Sequence, residues 1–311
     1  MIPAVAHFVW FGRRLPWVHA LGLRSAARRG EFEKVVLHHA DELESGEGTN
    51  SLRGEPRIEC RRFDAVSAFE PLGRLAEPLR RLLDELTAPA GRANVVRVAI
   101  LAAEGGVYLD TDTVTVRSFR PLLGTGAFCG QERIVLPTEV VGSWNPLVWA
   151  VAGLRLGVRD VLRRVPEGHV AFRRVERYYP AAVNNAVLGS EAGHPFVLEL
   201  LRRMVELPAE RRLVRFALGT HLLADAVEAA NGCGPVVHPP AVFYPLAPEI
   251  SEHWFRVGRR PRLGAVVAAE TVSVHWYASV RTARVASRIV PGYVRAHADR
   301  QLFSALALPF A

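Results

Sequence analysis

Two carboxylates one residue apart, Asp110 and Asp112, close the segment Gly105-Gly106-Val107-Tyr108-Leu109-Asp110-Thr111-Asp112. The apolar residues 107–109 read as a short central strand, and the acids fall just past its end. If the backbone turns there, both side chains can face one divalent cation. Carboxylate oxygens are hard ligands that suit Mg²⁺ or Mn²⁺. An ion held in that way can bridge to a diphosphate and stabilise the charge that develops as a leaving group departs. An Asp-x-Asp triplet on its own also reads as an ordinary turn with solvated acids, so its neighbours decide between the two.

Those neighbours are polar residues in an apolar setting. Asn94 and Arg97 stand three residues apart in the preceding helical stretch and share one face. A helix that feeds the Asp-bearing strand can point both at a ligand, and Arg suits bidentate contact with phosphate or sugar oxygens. The other reading of Arg97 is a surface charge. Its flanks, Val95, Val96, Val98, Ile100 and Leu101, speak against that reading. They imply a helix with little exposure, where an unpaired Arg would be costly.

The elements that must position these groups follow from periodicity. Residues 4–10 form a compact apolar run, ending in Phe11-Gly12, that reads as a buried strand. A helix follows from Pro16 to Gly30, and further strands are expected at 34–38 and 57–63, with a loop at 44–55. Leu72, Leu75, Leu79, Leu82, Leu83 and Leu86 keep the helical period and predict one helix over 72–86. A second helix is expected over 92–104. Alternating strands and helices predict an α/β fold with a mainly parallel, Rossmann-like sheet, whose ligands sit at the carboxyl ends of its strands. Residues 138–182 mix Trp144, Trp149, an Arg-rich helical stretch and Tyr178-Tyr179, and read as an inserted helical segment on the acceptor side. Helices are expected over 195–207, 213–230 and from 293 onward, and a strand over 271–275. The whole is read as a single domain: a core over 1–135, the insertion, and the rest of the core with a C-terminal lid over 183–311.

Three ordered motifs together resemble a known family. His7-Phe8-Val9-Trp10-Phe11-Gly12, Ala93-Asn94-x-x-Arg97 and the Gly105–Asp112 segment are similar to the DXD-motif glycosyltransferases. That group includes fungal initiating α-1,6-mannosyltransferases and bacterial capsule and glycolipid enzymes, with the clostridial glucosylating toxin domains as more distant relatives. Looser matches follow at residues 184–190, at Gly193-His194-Pro195-Phe196 and at His275-Trp276. The resemblance implies a GT-A fold and sugar transfer with retention of anomeric configuration. The donor would be a nucleotide-diphosphate sugar, with a UDP-sugar preferred and GDP-mannose the alternative. The acceptor would be a glycan, glycolipid or small molecule.

The resemblance also assigns roles. Trp10 would stack on the nucleobase, or else serve as a core aromatic. Asp110 would contact the ribose and approach the metal, and Asp112 would be the direct metal ligand. Arg97 joins these acids as a catalytic residue, and Tyr108 would lie beside the donor. Asn184 or Asn185 would hydrogen-bond the donor sugar or acceptor. His275 would complete the metal shell and Trp276 would cover the donor, the other reading being a strand-end His and a core Trp. Asn94 departs from the family, which has Asp at that place to accept hydrogen bonds from donor sugar hydroxyls. Asn keeps one acceptor and adds two donors without charge, which predicts an altered donor preference or weakened catalysis.

Composition bounds the alternatives. The 311 residues are half apolar, enough for a large core, and carry a formal net charge of +8. Their excess of Arg favours anionic partners, although no helix-turn-helix, zinc spacing or RNA-recognition motif points to nucleic acid. Cys60, Cys129 and Cys233 are scattered and odd in number, which fits a reducing cytoplasm. No signal peptide and no membrane span is read. The basic, apolar middle segment could rest on an anionic membrane surface beside a lipid-linked acceptor. The rival function is a non-catalytic nucleotide-sugar or glycan binder of the same fold.

Overall fold

The computed structural model describes residues 1–311 except 215, 231, 233, 259, 279, 281 and 282, and describes the backbone alone at 138, 139, 283 and 284. Cys233 therefore lies outside the described residues, while Cys60 is exposed and Cys129 buried. The chain forms two compact units, one of Met1–Gly130 with Val183–His238 and one of Gln131–Ala182 with Pro239–Ala311.

The first unit is built on a seven-stranded sheet. Its strands are β1 (Val5–Trp10), β2 (Lys34–His39), β3 (Ile58–Arg62), β4 (Gly106–Leu109), β6 (Ala127–Arg133), β7 (Ala181–Ser190) and β8 (Val236–His238). A short β5 (Thr113–Thr115) follows the Asp triplet. Spatial order is β3-β2-β1-β4-β7-β6-β8. β1 runs parallel to β2 and β4, β2 to β3 and β6 to β8, whereas β7 runs antiparallel to β4. This is the mainly parallel, helix-flanked arrangement that the alternation of strands and helices predicts. Parallel central strands are covered on both faces, which is why β1 and β2 read as apolar runs rather than as alternating ones.

Two helices carry the site-bearing strands. α1 (Trp17–Arg29) opens after Pro16 and ends at Gly30. α2 (Pro89–Glu104) is buried from Val95 through Ala102, with Arg97 the one charged side chain in that stretch. A helix so apolar belongs inside a core, and α2 packs against β1, β4 and the later helix Pro195–Glu206.

Local expectations differ from the structure in several places, among them the helix read over 213–230, which is a π segment Ala217–His221, broken at Gly219, and a helix Leu222–Ala229. The helix read over 72–86 is two elements, a 3₁₀ segment Glu70–Leu75 and a helix Ala76–Glu85, because Gly73 leaves helical geometry at φ 56°. Leucine spacing carries no signal of that break. Residues 44–55 are not all loop. Glu47–Leu52 is helical, with the Thr49 hydroxyl accepting the Gly46 N–H at 2.9 Å and Leu52 buried beneath. Neither β6 nor β7 is among the strands expected from the sequence, and in β7 the pair Asn184-Asn185 reads locally as loop.

The second unit holds α3 (Pro146–Arg164) and the helix Gly168–Val175, together with β9 (Ser273–His275). Its aromatic core joins Trp276, Phe255 and Phe303 in edge-to-face contacts. Arg159 on α3 pairs with Glu249 at 3.0 Å. Among the described residues no helix is long and apolar enough to cross a membrane.

Candidate functional site

The site of the first unit is a clamp at the end of β4. Past Leu109 the chain turns within four residues. The Asp110 carbonyl accepts the Thr113 N–H at 3.0 Å and the Thr113 hydroxyl at 2.8 Å, which closes Asp110-Thr111-Asp112-Thr113. Both acids thus leave one tight turn and are partly buried. The turn is pressed against α1 at Gly22. A β-carbon there would stand 2.9 Å from the Thr111 carbonyl and 3.0 Å from that of Thr113, so only glycine admits the approach.

Arg97 fixes the first acid. Its guanidinium lies 3.0 Å from Asp110 Oδ1 and 4.4 Å from the centre of the Tyr108 ring. It also donates to the Asn185 carbonyl at 2.6 Å. The Tyr108 hydroxyl donates to the same Asp110 oxygen at 2.7 Å. Burial drives the Tyr108 phenol well above its ordinary range, and the Asp110 charge adds to that against the opposing pull of Arg97. The phenol therefore stays a donor at any working pH. Arg97 itself is 5% exposed, which answers the sequence argument that an Arg among Val and Ile needs partners.

Asn94 and Asn185 form the neighbouring layer. The Asn185 amide donates to Asn94 Oδ1 at 2.9 Å. Behind them a β-carbon on Gly219 would lie 2.9 Å from the Asn94 amide nitrogen. The two adjacent asparagines separate in role. Asn185 joins this network, whereas the buried Asn184 side chain accepts the Ala186 N–H at 2.8 Å and holds its own strand in shape.

Trp10 ends β1, half-buried, with its ring 4.9 Å from that of His19 on α1. Its indole N–H is buried with no acceptor among the described residues. His19 Nδ1 in turn lies 3.0 Å from the Thr111 hydroxyl. One histidine thus couples the tryptophan to the acidic turn. Burial pushes its pKa down, opposed by the nearby charge of Asp112 and by its bond at Thr111. Sequence reasoning missed His19. Its position three residues into α1 looks like any helix residue, and only the fold brings it beside residue 111.

In the second unit, His275 ends β9 in a buried position, with its ring 5.8 Å from Tyr244 and 4.1 Å from Tyr277. Trp276 is fully buried against Phe255 and Phe303, as a core aromatic of its unit.

The donor set fits a divalent cation chemically. Two carboxylates on one turn offer hard oxygens, and a fixed arginine orients the first of them. The acceptor-free indole of Trp10 likewise suits a polar ligand edge at the end of β1.

In structure the chain is similar to PaToxG glycosyltransferase, with 16% identity, 73% of this chain and 69% of that chain covered, and a TM-score of 0.46. It is also similar to the UDP-bound glycosyltransferase domain from the YGT toxin, with 10% identity, coverage of 76% and 79%, and a TM-score of 0.43. A third similar structure is mouse xyloside xylosyltransferase 1, with 16% identity, coverage of 87% and 96%, and a TM-score of 0.46. No curated protein matches the chain in sequence. Residues 60–128 match the family described as a glycosyltransferase sugar-binding region containing the DXD motif. The match takes in Asn94, Arg97, Tyr108 and both acids of the turn, so over residues 60–128 this chain is similar to the sugar-binding region of the DXD glycosyltransferases.

Proposed function

We propose that the protein is a metal-dependent, retaining glycosyltransferase that moves a sugar from a nucleotide-diphosphate sugar to a hydroxyl of a glycan, glycolipid or small molecule. The observation that carries this reading is the turn after β4, where Asp110 is held by Arg97 and Tyr108 and Asp112 follows on the same turn. In this reading Asp112 and Asp110 would hold Mn²⁺ or Mg²⁺, and the resemblance adds His275 as a third ligand. The cation supplies neutralisation of the charge that builds on the departing diphosphate.

The chain's own residues do the rest by position. Trp10 offers a flat ring for the base, and the preferred donor is a UDP-sugar. His19 holds that ring against the turn that carries the acids, so base and diphosphate are set relative to one another. In this reading Arg97 acts through Asp110, which it holds while also meeting the Tyr108 ring and backbone carbonyls. Asn94 and Asn185 present a neutral amide pair toward the donor sugar, where the family has a carboxylate at residue 94. Among the described residues no carboxylate stands out as a base for the acceptor hydroxyl, which suits a same-face reaction in which the departing phosphate oxygen takes the proton.

The test is metal-dependent release of nucleotide diphosphate across a panel of UDP- and GDP-sugars. Activity should vanish with EDTA and in Asp112→Ala while the fold persists by circular dichroism. Full turnover in either condition refutes the reading. Donor binding without turnover in the wild type would make the protein a binder instead. A donor screen of Asn94→Asp should shift the preferred sugar or raise the rate, and an unchanged profile removes the role given to Asn94.

A further inference from the structure

A different surface of the second unit is built for contact. Trp144 is 99% exposed, Leu147 73%, Leu154 69% and Val161 61%. Along α3 the apolar residues Leu147, Val151, Leu154, Val158 and Val161 recur at alternating steps of four and three, so they form one stripe. The opposite face of α3 is its anchor, with Ala152 buried, Arg159 paired to Glu249 and Arg163 near Glu252. Arg155 and Arg164 fall on the two flanks of the stripe at the 3.6-residue period. The single acid of the helix, Asp160, is paired with Arg159 at 2.7 Å on the anchored side and lies 3.8 Å from both Arg163 and Arg164, which leaves the helix with a net positive charge.

The charge of the chain follows the same division. Residues 131–182 and 239–311 hold 17 Lys plus Arg against 9 Asp plus Glu, whereas the other unit holds 22 of each. The whole excess of +8 therefore belongs to the unit that carries the exposed stripe. A contiguous apolar patch with a basic rim marks a docking site. A second copy suits it poorly. One helix face buries well under the roughly 800 Å² per partner of a stable interface, and two such units would bring like charge together. An anionic bilayer meets both features, since it takes an apolar stripe at its acyl boundary and arginines at its phosphates. Tryptophan is the residue favoured at that depth.

We propose that α3 and Trp144 form a membrane-docking surface that lays the stripe into the interface of an anionic bilayer. The inference stands independently of the acidic turn, and its test needs no transfer activity. The full chain is co-sedimented with vesicles of phosphatidylcholine plus phosphatidylglycerol, and with phosphatidylcholine alone, at low and high salt. Binding should favour the anionic vesicles about tenfold or more, weaken with salt, and shift the tryptophan emission to the blue. Leu147→Ser with Leu154→Ser, both exposed and so compatible with an unchanged fold by circular dichroism, should lose at least about tenfold in affinity. Trp144→Ser should lose most of the emission shift. No wild-type binding to the anionic vesicles, equal binding to both compositions, or a double variant that binds like wild type overturns the proposal. A wild-type dimer in solution that the double variant converts to monomer also overturns it and assigns the stripe to a second copy.

Discussion

Replacing Arg97 with methionine deletes the guanidinium and keeps most of the side-chain volume. The structure sets the size of the effect. The Arg97 side chain is 6% exposed and that of Asp110 25%, at 3.0 Å separation. Removing one partner of a buried pair costs about 3–5 kcal/mol. The partial exposure of Asp110 and its remaining bond from Tyr108 reduce that to about 2–3 kcal/mol. The Asn185 carbonyl loses its donor as well, which adds about 1 kcal/mol. At about 2.1 cal/mol/K of unfolding entropy per residue over 311 residues, a loss of about 3–4 kcal/mol corresponds to a fall in melting temperature of roughly 5–6 °C. Arg97→Lys should fall between, since a point ammonium cannot hold Asp110 and Asn185 together. Urea denaturation of Arg97→Met, Asp110→Asn and the double variant then gives a coupling energy, expected at about 1–3 kcal/mol. A coupling near zero, with Arg97→Met within about 0.5 kcal/mol of wild type, would refute the clamp and return Arg97 to the surface reading.

Further outcomes follow from the same geometry. Trp10→Ala should weaken donor binding by about 1–3 kcal/mol, seen as a raised donor KM, whereas an unchanged KM places the base elsewhere. Gly22→Ala forces a β-carbon against the Thr111 and Thr113 carbonyls. It should lower kcat severalfold with metal affinity reduced, as read by Mn²⁺ titration, and wild-type kinetics would mean that the turn adapts freely. His7 and His38 share a buried hydrogen bond at 3.1 Å, and burial lowers their pKa values to about 4 and about 3. Both folded values lie below that of a free imidazole, so the unfolded chain binds the protons first. Stability is fully present above about pH 6.5 and falls with acid toward pH 4, by at most about 2.7 kcal/mol per pH unit for two protons. His19, His169, His238 and His253, lowered chiefly by burial, add to the same sign. A urea midpoint that stays flat from pH 7 to pH 5 would contradict this.

What the sequence could disclose of this site is what lies close along the chain. Val95, Val96, Val98, Ile100 and Leu101 marked a buried helix, Gly105-Gly106 marked its end, and the acids followed at once. Arg97 and Asp110 therefore sit on consecutive elements whose packing is nearly forced. The partners that complete the clamp come from afar. The Asn185 carbonyl belongs to β7, a strand disguised by two adjacent asparagines whose polarity serves Asn94, Arg97 and the strand's own backbone rather than a loop. His19 is invisible for a related reason: nothing in α1 announces which of its residues will face the turn. The helix read over 72–86 failed differently, because leucine spacing records which side chains are buried and is blind to the backbone reversal at Gly73.

The place of β7 between β4 and β6 has a consequence during synthesis. Until residues 181–190 emerge, β4 has β1 on one side only, and its other edge offers unpaired amides on a Val-Tyr-Leu strand. All of α3 and the helix Gly168–Val175 are made in the interval. At about 5–20 residues per second, the seventy or so residues from Leu109 to Ala181 leave that edge open for roughly 4–14 s. A nascent chain with such an edge is a template for mispairing. Recoding that slows the ribosome between these two strands should therefore lower soluble yield without altering one amino acid.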